Sequence, residues 1–104
     1  MTQYKLDRDN GRDVEFSGEL LASTNSYISN GETQNRWTAL YLYRSDGGKL
    51  ICHEVGRTQW QGEHDRSTVH IAETEDELIN KVGIGWLAKK LYEEAKIKCV
   101  ETID

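Results

Sequence analysis

Trp37-Thr38-Ala39-Leu40-Tyr41-Leu42-Tyr43-Arg44, then Ser45-Asp46-Gly47-Gly48, then Lys49-Leu50-Ile51-Cys52-His53-Glu54-Val55-Gly56-Arg57: this stretch decides the fold. The first run is rich in aromatics and Leu, the second in Leu, Ile and Val, and both have strand composition. Asp-Gly is favoured in a two-residue hairpin, where both central residues need positive φ. The spacing predicts such a turn at Asp46-Gly47. It pairs Tyr43 with Leu50, Tyr41 with Cys52, Ala39 with Glu54 and Trp37 with Gly56. Trp37, Tyr41 and Tyr43 then share one face. Leu40, Leu42, Ile51 and Val55, together with Thr38 and His53, share the other. A sheet with one wet face keeps its apolar residues on one side. Here one face is aliphatic and the other aromatic, so both need cover.

Two more strands flank this hairpin. Residues 14–23 alternate through Val14, Phe16, Leu20 and Ala22, and residues 67–73 alternate again. Residues 24–36, with Asn30-Gly31, and residues 58–66 are polar connections. Thr74-Glu75-Asp76-Glu77 is a capping box, with three acids on the positive end of the helix dipole. Leu78, Ile79 and Val82 follow on one apolar face. Gly83-Ile84-Gly85 breaks the helix. A second helix over residues 86–96 aligns Leu87, Leu91 and Ala95. The tail, residues 99–104, alternates as a short edge strand or an appended tail.

The expected fold is therefore α+β: a four-stranded, mostly antiparallel sheet followed by one or two C-terminal helices packed on one face. Its 104 residues fit a single domain, 1–104. Leu78, Val82, Leu87 and Leu91 are expected to cover the aliphatic face. Two covers compete for the aromatic face: a second copy, making a homodimer with Trp37, Tyr41 and Tyr43 at its interface, or the connections 24–36 and 58–66 folded over it.

Net charge −5 argues against a phosphate-backbone partner, since such binding needs clustered positive charge. Two cysteines without Cys-x-x-Cys spacing suit a reducing compartment. The polar opening segment lacks the apolar stretch of a signal peptide. No run approaches a membrane span. The expectation is a cytoplasmic protein without nucleic-acid or membrane partner and without cofactor.

Chemistry-bearing residues concentrate in Arg57-Thr58-Gln59-Trp60-Gln61-Gly62-Glu63-His64-Asp65-Arg66. Arg57 and Arg66 suit anion recognition, and His64 beside Asp65 suits proton transfer. Trp60 adds a ring. The plainer alternative is a polar connection whose charges pair locally. His53, His64 and His70 lack metal-ligand spacing, so no metal site is expected. Cys52 and His53 are adjacent in a strand and point to opposite faces, which makes them a poor dyad.

The phrases Arg36-Trp37-Thr38, Leu42-Tyr43-Arg44, Gly47-Gly48-Lys49, Val55-Gly56-Arg57-Thr58, Gly62-Glu63 and Asp65-Arg66 resemble those of a group of small bacterial proteins of uncharacterised activity. More distantly, Phe16-x-Gly18-Glu19-Leu20 and the closing Val100-Glu101-Thr102-Ile103-Asp104 resemble the EXLDI family. That family ends in Glu-x-Leu-Asp-Ile, where this chain reads Glu-Thr-Ile-Asp. The resemblance implies a fold and carries no activity. The resemblance implies a phage or mobile-element context as an expectation.

The function expected is a non-enzymatic interaction or regulatory module, acting through a sheet face or the 57–66 loop. The alternative is a small ligand-binding or catalytic domain using Arg57, His64, Asp65 and Arg66.

Overall fold

The computed structural model describes residues 2–9, 11–25, 36–58 and 66–97. They form an α+β arrangement. Five strands, β1 (Thr2–Leu6), β2 (Val14–Asn25), β3 (Arg36–Ser45), β4 (Leu50–Thr58) and β5 (Arg66–Ala72), precede α1 (Glu75–Val82) and α2 (Trp86–Ala95). The strands pair antiparallel in sequence order, so every connection is a neighbour-to-neighbour reversal.

The sheet has five strands where four were expected. The extra one, β1, carries only Tyr4 and Leu6 as its period-2 signal. Both pair across β2, with Phe16 and Val14. The pairing with Phe16, rather than strand propensity in an otherwise polar stretch, holds β1 in the sheet.

The central hairpin forms, but one residue out of the expected register. Ser45 N–H donates to Lys49 O (2.9 Å), and Gly48 N–H donates to Ser45 O (2.9 Å). The loop therefore has three residues, Asp46-Gly47-Gly48, and the positive φ falls on Gly48 (89°) rather than on Asp46-Gly47. That is a turn followed by a left-handed glycine, the common three-residue hairpin. Tyr43 pairs with Ile51, Tyr41 with His53, Ala39 with Val55 and Trp37 with Arg57. A one-residue shift moves every β4 side chain to the opposite side. Leu50 and Cys52 now share the face of Leu40 and Leu42. Ile51, His53 and Val55 join the rings.

The helices cover the aliphatic face as expected. Ala22, Leu40, Leu42, Leu50, Cys52 and Ala72 pack against Leu78, Ala88, Leu91, Tyr92 and Ile97, with Val82 and Leu87 partly buried beside them. α1 lies over β5 and β4, α2 over β2 and β3. Leu42, Leu78 and Leu91 are fully buried, each worth about 2 kcal/mol of transfer free energy. Thr74 caps α1 by accepting from Glu77 N–H (3.1 Å). The reciprocal arm is displaced: Glu77 Oε2 accepts from Glu73 N–H (3.5 Å).

Within the described residues the ring-bearing face is covered by the curl of the sheet itself; the connections expected over it, 26–35 and 59–65, lie outside the described residues. Beyond β1 the chain crosses to the far edge of the sheet. Asp9 N–H donates to Ser67 O (3.0 Å), Ser67 N–H to Asp9 Oδ2 (2.8 Å) and Ser67 Oγ to the Asp7 carbonyl (2.5 Å). In a flat five-stranded sheet the outer strands stand about 19 Å apart. These bonds require the sheet to curl with its rings inside. A bulge in β2 between Leu20 and Ala22 aids the bend. Leu6, Tyr43 and Ile51 are buried within the curl, beside Tyr4, Val14, Phe16, Tyr41, Val69 and Ile71. Tyr4, Phe16 and Tyr43 form one ring cluster with centroids 4.7–5.4 Å apart.

Candidate functional site

The register brings Trp37, Tyr41, His53, Arg57 and Ser67 to one end of the concave face. Trp37 pairs with Arg57 and Tyr41 with His53 across β3 and β4. Arg57 Nη2 donates to Tyr41 Oη (3.1 Å), and the Tyr41 and His53 rings lie 6.1 Å apart. His53 Nε2 stands 2.6 Å from Ser67 Oγ. Ser67 has one hydroxyl hydrogen, and the Asp7 carbonyl can only accept it. His53 Nε2 therefore carries the proton that lies between it and Ser67. Burial pushes the His53 pKa below its ordinary value; Asp7 opposes this and Arg57 adds to it. The ring is neutral at pH 7, with Nε2 protonated.

This arrangement is poor for nucleophilic catalysis. A Ser–His pair needs the serine proton directed at a lone pair on the imidazole, and here the proton points the other way. Cys52 is fully buried, and burial followed by the Glu54 charge pushes its thiol up to about 12. A thiolate is what reacts, so Cys52 is a core residue. On the helix-bearing face His70 Nε2 meets Glu54 Oε1 at 3.2 Å. Among the described residues no three His, Cys, Asp or Glu side chains converge as metal ligands.

The residues singled out from the 57–66 stretch do not all share a site. Arg57 stands on the concave face with Trp37. Arg66 pairs with Gly56, one residue out of phase, and so belongs to the opposite face. Trp60, His64 and Asp65 lie outside the described residues. Of the ring candidates, Tyr43 is buried by its own chain, while Trp37 and Tyr41 are half-buried.

Among the described residues the large apolar side chains most exposed are elsewhere. Gly83 ends α1 with φ 96°, its N–H donating to Ile79 O (2.8 Å). Tyr92, buried in α2, donates its hydroxyl to Gly83 O (2.7 Å). Thr24 Oγ1 donates to Leu87 O (3.5 Å). These anchors fix a short linker that holds Ile84 and Trp86 outward, 61% and 62% exposed. Trp86 rims an open groove of about 350 Å³ lined by Thr38, Leu40, Glu54, Val82, Gly85, Leu87 and Ala88. Sequence reading placed Trp86 at the start of a helix and went no further. Its position off the α2 stripe of Leu87 and Leu91 was the available signal.

No protein-family model, curated protein or solved structure matches this chain. Among the described residues no helix is long and apolar enough to cross a membrane.

Proposed function

We propose that this chain is a non-enzymatic interaction module that pairs with a second copy of itself through the Ile84–Trp86 ridge and the groove beside it. The carrying observation is the exposure of these two large apolar side chains on an anchored linker. Contiguous exposed apolar surface marks interaction sites, and Trp is among the commonest anchors. Ridge and groove adjoin, so a twofold axis lets each copy's Trp86 enter the other's groove, as an isologous contact requires. The polar geometry at His53 and Ser67 and the buried Cys52 support a binding role over catalysis.

Sedimentation velocity from about 1 to about 100 µM tests this. The wild-type chain is expected to shift from monomer to dimer. The doubly substituted Ile84→Ser, Trp86→Ser chain stays monomeric with an unchanged circular dichroism spectrum. A wild-type chain that remains monomeric throughout refutes self-association.

A second reading keeps the ligand-binding alternative and rests on Arg57. Its guanidinium, bonded to Tyr41 beside Trp37, suits a planar anionic group. The placement of Arg66 on the other face weakens a pocket built from Arg57, His64, Asp65 and Arg66 together.

A further inference from the structure

Among the described residues β5 is an edge strand, and its outer backbone ladder is interrupted. Both Ser67 backbone groups point away from β4, because Asp9 takes them. Antiparallel pairing repeats every second residue, so the backbone groups of Val69 and Ile71 point outward too. Lys81 Nζ donates to the Ile71 carbonyl (2.6 Å). Between these two closures the Val69 N–H, the Val69 carbonyl and the Ile71 N–H have no backbone or side-chain partner among the described residues. An open notch of about 380 Å³ lies over them, lined by Arg8, Ser67, Thr68, Val69, Ile71 and Lys81.

Arg8 gives the notch its chemistry. Asp7 and Asp9 on either side are tied to Ser67, which lays the Arg8 side chain along the strand edge. Its stem runs close to Gly11, where an added Cβ would stand 2.8 Å from Arg8 Cδ. Among the described residues the buried Arg8 Nε has no hydrogen-bond partner. The Arg8 side chain lines the notch, and a carboxylate is the best complement of a guanidinium. Lys81 is paired with Glu77 (3.1 Å), and Arg8 is the second cation of the notch, with the Asp9 carboxylate held at its Ser67 end.

We propose that this notch binds an extended acidic peptide segment of a partner protein. The segment adds to β5 as a short strand. Its carbonyl accepts from Val69 N–H and its N–H donates to the Val69 carbonyl, as in strand addition elsewhere. A Glu or Asp side chain reaches Arg8. The window spans one residue pair, so affinity is modest and the carboxylate supplies much of the selectivity.

The test is titration of ¹⁵N-labelled protein with the blocked peptide acetyl-Val-Glu-Val-Glu-Val-amide, followed by NMR. Saturable shifts are expected at the Val69 and Ile71 amides and at Arg8 Nε. The Gln-for-Glu peptide is expected to bind at least about tenfold more weakly. Arg8→Met is expected to lose a similar factor, and Arg8→Lys, which keeps the charge but not the planar fork, falls between. Absence of saturable shifts overturns the proposal, as does equal affinity of Arg8→Met and wild type. The Ile84→Ser, Trp86→Ser chain should bind the peptide as wild type does, so this site and self-association fail independently.

Discussion

Replacing Gly18 with Ala should destabilise the fold by about 3 kcal/mol, against the ordinary sign of the change. Glycine inside a strand costs backbone entropy, and Ala at a compatible position gains about 0.5–1 kcal/mol. Gly18 is incompatible for a spatial reason. A Cβ built there lies 2.1 Å from the Arg44 carbonyl oxygen and 2.9 Å from Ser45 Cα, both backbone atoms of β3. A carbon–oxygen contact relaxes near 3.2 Å, so β2 and β3 must separate by about 1 Å. The Asp46 N–H to Ser17 O bond (2.8 Å) spans the same place and would be lost. Overpacking costs about 1–3 kcal/mol and a lost backbone bond about 1 kcal/mol. A 2.1 Å clash with backbone takes the upper end of the overpacking range, so with the entropic gain subtracted about 3 kcal/mol remains. For a domain of 104 residues that lowers the melting temperature by roughly 12–24 °C. Urea unfolding followed by circular dichroism measures it, with Gly47→Ala as control. Gly47 has only Ser45 Oγ near its added Cβ, at 3.9 Å, and no positive φ, so its change should stay within about 0.5 kcal/mol. A Gly18→Ala chain within about 1 kcal/mol of wild type at unchanged m-value would refute the close approach of β2 to the hairpin end.

Three other outcomes follow from named groups. Cys52 should resist iodoacetamide at pH 8 in the native protein and react on unfolding, with peptide mass spectrometry assigning the label to Cys52; rapid native labelling contradicts its burial. His53 has a folded pKa below its unfolded value, so the unfolded state binds more protons near and below pH 6.5. Stability is expected to fall as pH drops through that window, and His53→Gln, which keeps a donor for Ser67, should flatten the dependence; equal slopes for the two chains count against the neutral ring. Tyr92→Phe removes the donor to Gly83 O and should cost about 1 kcal/mol in urea unfolding. A neutral result would mean that the linker does not depend on this bond.

The helices were the most legible part of the sequence. Thr74 and its acids, Gly83 and the Leu87–Leu91 stripe are local signals, and α1 and α2 begin where these place them. The hairpin strands were legible from composition, but their register was not. Asp46-Gly47-Gly48 suits a two-residue turn and a three-residue turn alike, and the choice falls to packing. With Leu50 and Cys52 beside Leu42, one face can meet α1 and α2 without a polar side chain in the buried cluster. The two-residue turn would have put His53 beneath the helices, where its imidazole has no expected partner. β1 was missed because Tyr4 and Leu6 acquire meaning only beside Phe16 and Val14, and sequence proximity does not announce that pairing.

The closure at Ser67 also decides which surface is left for a partner. A four-stranded flat sheet would leave Trp37, Tyr41 and Tyr43 as one continuous patch needing a second copy or the connections 24–36 and 58–66 over it. The added strand and the crossing at Asp7–Asp9 turn most of that patch inward, and Tyr43 becomes 7% exposed within a single chain. The same crossing carries Arg8 to the β5 edge and stops the ladder after Ser67. One set of hydrogen bonds thus buries Tyr43 within the chain, leaves Trp37 and Tyr41 half-buried, and brings Arg8 beside β5. Among the described residues the two most exposed large apolar side chains then lie where glycine ends a helix, at Ile84 and Trp86, with Leu20 on β2 next. The surfaces open to association are therefore set by how the sheet closes rather than by where the sequence places its rings.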